Sequence, residues 1–232
     1  MNSRKRPYSS PSREEQARAT RTAILRAAAE LFVDPGYGRA SVAAVARRAG
    51  VTGQTIYNAF GSKQALLKAA YDVTLAGDDE PMPLARRPDV VAMYQLAEPV
   101  EFLRAYAALG RRLLERLAPL MVQIAAGAAT GDPDLVEHQR VTDGERLVGT
   151  AMVVKRVVEL GGLAPGLPVD AARDRIWTLN SVEIWHLLTR SRGWSGDDYQ
   201  DWIGDQMCAA ILDPALLTER GRATEPPRHP YP

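Results

Sequence analysis

From Ser41 to Lys63 the chain reads SVAAVARRAGVTGQTIYNAFGSK, and no other stretch restricts the fold so tightly. Val42, Val45, Ala46 and Ala49 recur at helical spacing behind Ser41, which is a good N-cap, so a helix of about two turns is predicted. Gly50 stops it. Glycine takes the positive φ required just past a helix end without steric cost, and Val51 is expected to tuck inward behind it. Thr52 then caps a second helix, on which Ile56 and Phe60 fall four apart on the inner face.

Gly53, Gln54, Thr55 and Asn58 are left on the outer face of that second helix, toward its start. Gln and Asn amides pair with adenine edges, Thr reaches a base or a phosphate, and Gly lets a backbone approach closely. A helix whose first turns enter a major groove needs this set of side chains. Tyr57 and Lys63 fit phosphate-gripping positions on either side, and Ser62 caps a third helix whose N-terminal dipole favours an anion. The candidate DNA-contacting residues are Ser41, Thr52, Gly53, Gln54, Thr55, Tyr57, Asn58 and Lys63.

Ile24 to Tyr71, ILRAAAELFVDPGYGRASVAAVARRAGVTGQTIYNAFGSKQALLKAAY, resembles the DNA-binding half of a TetR-family transcriptional regulator through LF, GY, AGV, TIY, F and SK followed by LL at fixed spacing. The resemblance implies three helices and the start of a long fourth, with a helical ligand-binding and dimer-forming domain behind them. It also implies a repressor released by a small molecule. Two positions depart from the family pattern. Ala59 stands where the family often has a phosphate-contacting His or Tyr, and Ala43 occupies a site that in some members reaches a base, so fewer side-chain contacts are expected here.

Net charge is +1 over 232 residues, but it is unevenly placed. Residues 1–63 hold 11 Lys+Arg against 4 Asp+Glu, a balance of +7, and the remainder carries −6. A basic end joined to an acidic body suits a protein that sets one end against phosphates and keeps the other away. The one cysteine, Cys208, excludes an intrachain disulfide, and no Cys or His lies near it at zinc spacing. No metal or other cofactor is expected. No apolar run approaches the roughly 20 residues of a membrane helix, and none follows Arg4, Lys5 and Arg6 as a secretion signal would, so a cytoplasmic protein is expected.

Met1 to Ser12 reads as a flexible basic arm, with Arg4–Arg6 suited either to a phosphate backbone or to a solvated tail. Ser12 and Glu15 form a capping-box pattern, which starts helix 1 near Arg13, with Ile24, Leu25, Ala28, Leu31 and Phe32 as its inner stripe. Residues 13–63 are therefore the expected head. Helix 4 runs from Lys63 to about Ala76, GDDEPMP breaks it, and one short helix is expected within residues 84–98. A helical body over 64–213 follows, and residues 214–232 read as a disordered tail. In the body, helices are predicted from Pro99 to about Leu117, from Pro119 to near Gly127, from Asp132-Pro133 to Leu160, from Val169 to Thr189, and from Ser195 onward. No alternating strand pattern occurs, so the class is all-α.

A two-fold operator requires two readers about 34 to 36 Å apart, which implies a homodimer on pseudo-palindromic double-stranded DNA. The last two long helices are the expected interface, with Ile176, Leu179, Val182, Trp202, Ile203, Met207 and Ile211 as candidates, each equally suited to packing within the chain. An effector pocket is apolar with a few inward polar groups. The candidates for it are Phe102, Tyr106, Met121, Gln123, Ile124, His138, Met152, Trp177, Asn180, Glu183 and His186. Two other classes are weighed: an architectural protein binding DNA without sequence choice, and a helical-bundle enzyme. The enzyme reading is poorly supported, because the histidines are isolated and a di-metal site takes two Glu-x-x-His pairs where the sequence has one, Glu183–His186.

Overall fold

The computed structural model describes residues 11–80 and 82–218. Residues 1–10, which carry most of the basic arm, and 219–232, most of the expected tail, lie outside the described residues. The order is α1 (Pro11–Leu31), α2 (Val42–Ala49), α3 (Gly53–Phe60), α4 (Lys63–Ala76), α5 (Pro88–Tyr94), α6 (Pro99–Ala129), α7 (Pro133–Glu159), α8 (Val169–Leu179), α9 (Val182–His186), α10 (Gly196–Ile211) and α11 (Pro214–Thr218). Among the described residues no strand forms, and Leu163 and Leu212 make an isolated antiparallel bridge. The fold is all-α.

Two compact units result, one from the residues up to Glu80 together with Pro119–Gln139, the other from residues 81–118 and those from Arg140 on. The head is therefore larger than the expected 13–63: it includes all of α4, the end of α6 and the start of α7. Within it α1 packs on α2 and α4, and Ile24, Leu25, Phe32, Ile56, Leu66 and Leu67 are fully buried between them. In the second unit α10 lies against α8, around Ile176, Tyr199, Ile203 and Met207.

Four expectations need correction. Helix α1 already contains Pro11 and Ser12, so Ser12 lies inside the helix and is not its N-cap. Pro119 does not divide two helices, and α6 runs through it. Proline removes one backbone donor and crowds the preceding turn, yet burial of Leu117, Ala118, Leu120 and Ile124 on either side holds the helix together. Conversely, the helix expected from Val169 to Thr189 breaks at Asn180, whose backbone (φ −88°, ψ 49°) leaves the helical region. Ser181 then caps α9 by accepting from the Ile184 N–H. Finally, Pro214–Thr218 is helical and not part of a disordered tail.

Candidate functional site

The α2–α3 pair is built by its caps. The Ser41 hydroxyl accepts from the Ala44 N–H at 3.1 Å, Thr52 accepts from Thr55 N–H at 3.2 Å, and Ser62 accepts from Ala65 N–H at 3.0 Å. Gly50, at φ 70°, donates back into the end of α2, and the Val51 N–H reaches the Ala46 carbonyl at 3.0 Å. Each cap contributes about 1 kcal/mol, a large share for helices of eight residues. With Ile56 buried, α3 turns Gln54, Tyr57 and Asn58 outward, and Tyr57 is 52% exposed.

Several of the candidate contacts already have intramolecular roles. Gln54 Nε2 donates to Asn58 Oδ1 at 2.8 Å, so the two amides form one exposed unit on the helix surface. The hydroxyls of Thr52 and Thr55 lie 2.9 Å apart. A Cβ on Gly53 would meet nothing of its own chain, leaving the start of α3 open. Lys63 is half-buried: its ammonium donates to the Tyr37 carbonyl at 2.6 Å and lies 4.0 Å over the Tyr37 ring. Burial lowers the Lys63 pKa, and the charges of Asp132 and Asp134 act against that shift.

Tyr37 is buried against Phe32 and also donates its hydroxyl to Asp134 Oδ2 at 2.7 Å. Its pKa is raised, first by burial and then by that bond. The start of α7 is thus tied to the turn before α2 inside one unit, through a bond to a charged group of the kind that contributes about 1.5–3 kcal/mol. Sequence reasoning also passed over Arg39 and Arg47, which are exposed on the head; Arg48 is paired with Glu30 at 2.6 Å. Cationic residues at the end of a helix that leads into a reader were the available signal.

The effector candidates separate. Met121, Gln123, Ile124 and His138 belong to the head's unit, where His138 is buried edge-on to Tyr71 at 5.0 Å. Met152, Glu183 and His186 are exposed, so they do not line an interior, because their helices turn those positions outward. Phe102 and Tyr106 are buried in the second unit, and Trp177 and Asn180 are half-buried there. Asn180 Nδ2 donates to the Tyr106 hydroxyl at 2.9 Å, and Phe102 packs on Tyr94 at 5.4 Å.

Two residues absent from the candidates complete this cluster. Arg146 donates to the Asn180 carbonyl at 2.9 Å and lies 4.3 Å over the Trp177 ring, while the Thr150 hydroxyl donates to the Arg146 carbonyl at 2.9 Å. Tyr106, fully enclosed, has its pKa raised by burial, with hydrogen bonds to Thr150 and Asn180 working against the shift. Arg146 and Thr150 fall in line with Val153, Val154 and Val157 on α7, so polar residues interrupting an apolar stripe were the signal.

Of the seven interface candidates, Ile176, Val182, Ile203, Met207 and Ile211 are buried within their own chain. Their apolar area is already used in packing α8 on α10, and they are withdrawn as partner contacts. Leu179 and Trp202 keep partial exposure, with Trp202 edge-on to Trp194 at 5.8 Å.

A capped, glycine-turned helix pair presenting amides above a buried Ile56, set on a three-helix head, has the layout of a helix-turn-helix. Residues 24–70 match the model of the bacterial regulatory proteins of the tetR family. The A-factor receptor protein of Streptomyces griseus is 45% identical over 60 residues, which cover 25% of this chain and 22% of that protein. The chain thus spans about a fifth of that relative's length. A putative TetR-family transcriptional regulator from Rhodococcus sp. superposes with a TM-score of 0.65 at 18% identity, covering 83% of this chain and 98% of that one. The regulator FadR from Bacillus subtilis, in complex with stearoyl-CoA, gives 0.65 at 18% identity over 82% of this chain and 98% of its own. At these identities the two structures share the fold.

Proposed function

We propose that the chain is a sequence-specific DNA-binding transcriptional regulator that responds to a small molecule, acting as a homodimeric repressor released by its ligand. The observation carrying this reading is the outward row of Gln54, Tyr57 and Asn58 on α3, capped by Thr52 at its start and Gly61 at its end. Gln54 and Asn58 read base edges, while Tyr57 and the remaining N–H groups of Lys63 hold phosphates. Ser41, Thr52 and Thr55 set the helix starts, and Gly53 admits the backbone. The structure of FadR, a transcriptional regulator of this fold, in complex with stearoyl-CoA supports the ligand-responsive part.

Release follows if the ligand binds better to the form whose two readers are wrongly spaced. A hundredfold loss of operator affinity needs about 2.7 kcal/mol of such preference. Band shifts on the DNA flanking the chain's own gene test the reading, and no specific retardation at any salt concentration would refute it. Gln54→Ala and Asn58→Ala should each change preference among sequences. Because the two amides are hydrogen-bonded, the double substitution should lose less than the two single losses combined. Tyr57→Phe and Lys63→Ala should weaken all sequences alike. Light scattering of the free protein checks the dimer, and a monomer bound to a two-fold site would remove it.

A further inference from the structure

Nε of Arg146, Nε1 of Trp177 and the hydroxyl of Tyr199 are three among the buried polar atoms of the second unit that find no partner within the protein. Two belong to touching side chains, with the Arg146 guanidinium 4.3 Å over the Trp177 ring. Both of those nitrogens are donors only, so what they lack is an acceptor. The guanidinium's other ends are occupied, Nη1 by the Asn180 carbonyl at 2.9 Å and Nη2 by Asp143 Oδ1 at 3.6 Å. Its Nε edge is left. The bond from Asn180 to Tyr106 and that from Thr150 to the Arg146 carbonyl fix the surrounding geometry without using either free donor. Tyr199 stands edge-on to Trp185 at 4.7 Å, in the same unit.

Resting on the ligand-responsive reading above, we propose that Arg146 and Trp177 form the polar end of the effector site and that the effector is an organic acid with an apolar body. Its carboxylate takes the Arg146 Nε–H and the Trp177 Nε1–H, one oxygen each, and its body lies beside the Trp177 ring. A carboxylate suits this site better than an alcohol or amine. It offers two acceptor oxygens and a charge opposite to that of the guanidinium, and it brings no donor that would face the two N–H groups.

The test uses the full chain, titrated with octanoate and phenylacetate, and with octanol, phenylethanol and octylamine as size-matched partners. Binding is followed by tryptophan fluorescence and thermal unfolding, and DNA retention is measured in parallel. At least one acid is expected to bind about tenfold or more tighter than its alcohol, and neither alcohol nor amine should match it. W177F keeps an aromatic ring under Arg146 but loses the N–H together with part of the indole's area, so it should fold and weaken acid binding about tenfold; R146K, which keeps the charge, should also weaken it. Equal binding by an alcohol or amine, no binding by either acid, or unchanged acid affinity in folded W177F overturns the proposal. If an alcohol or amine releases the DNA, the acid assignment falls while the regulator reading stands. If acids bind through Trp177 but the protein retards no DNA, the site stands and the regulator reading falls.

Discussion

Gly110 and Asn180 sit face to face, and a Cβ at position 110 would lie 2.6 Å from Asn180 Oδ1. Elsewhere in a helix, exchanging Gly for Ala gains about 1 kcal/mol from propensity alone. Here the amide cannot swing aside without giving up its bond to Tyr106 at 2.9 Å. Gly110→Ala is therefore expected to destabilise the protein by about 1–2 kcal/mol net of the propensity gain. Urea unfolding decides it, and a more stable variant would show that Asn180 is not fixed. Not all of this was legible in the chain. Asn180 and Tyr106 stood out as polar residues among apolar ones, but Arg146 and Thr150 did not, because a polar residue within a stripe reads as a surface position until its neighbours are known.

At the scale of elements, Pro119 lies within α6 and is exposed. Its ring denies the Glu115 carbonyl its usual partner, and the intact helix around it does not need a proline. Pro119→Ala should raise stability by at least about 1 kcal/mol, seen as a higher unfolding midpoint, provided that the denatured chain gains less freedom than the helix gains in bonding. A lower midpoint would mean that the proline's restriction of the unfolded chain outweighs the missing bond. The contrast with the head shows what a sequence can disclose. Ser41, Thr52, Ser62 and Ser195 mark helix starts through bonds to residues three further on, which is local information. Whether a proline breaks α6, or whether Asn180 breaks α8, depends on burial against distant segments, and no window of neighbouring residues contains that. The same limit explains the interface candidates: apolar character marked Ile176 and Met207 for burial, but it did not distinguish a neighbouring helix from a second subunit.

For the whole molecule, Tyr37, Tyr106 and Tyr199 all have pKa values raised above the ordinary phenol value of 10.0, chiefly by burial. A group that holds its proton more tightly when folded contributes stability that is fully present below its unfolded pKa and is lost as pH rises toward the folded one. Unfolding temperature should therefore fall steeply above about pH 10, with phenolate absorbance from these tyrosines appearing only together with unfolding. Phenolate signal from all the tyrosines ahead of any loss of helicity would contradict this. Cys208 gives a second whole-molecule readout: it is buried, and its thiol is pushed up to about 11, mainly by burial. An aromatic disulfide reagent should leave it untouched in the native protein and label it at the rate of opening, and prompt labelling would show a looser interior. The DNA-reading head takes in Pro119–Gln139 as well as the residues up to Glu80. A chimera made by grafting only the first 80 residues onto a foreign sensor would thus strip Tyr37 of Asp134, and a working transplant must carry that second, distant piece of chain along.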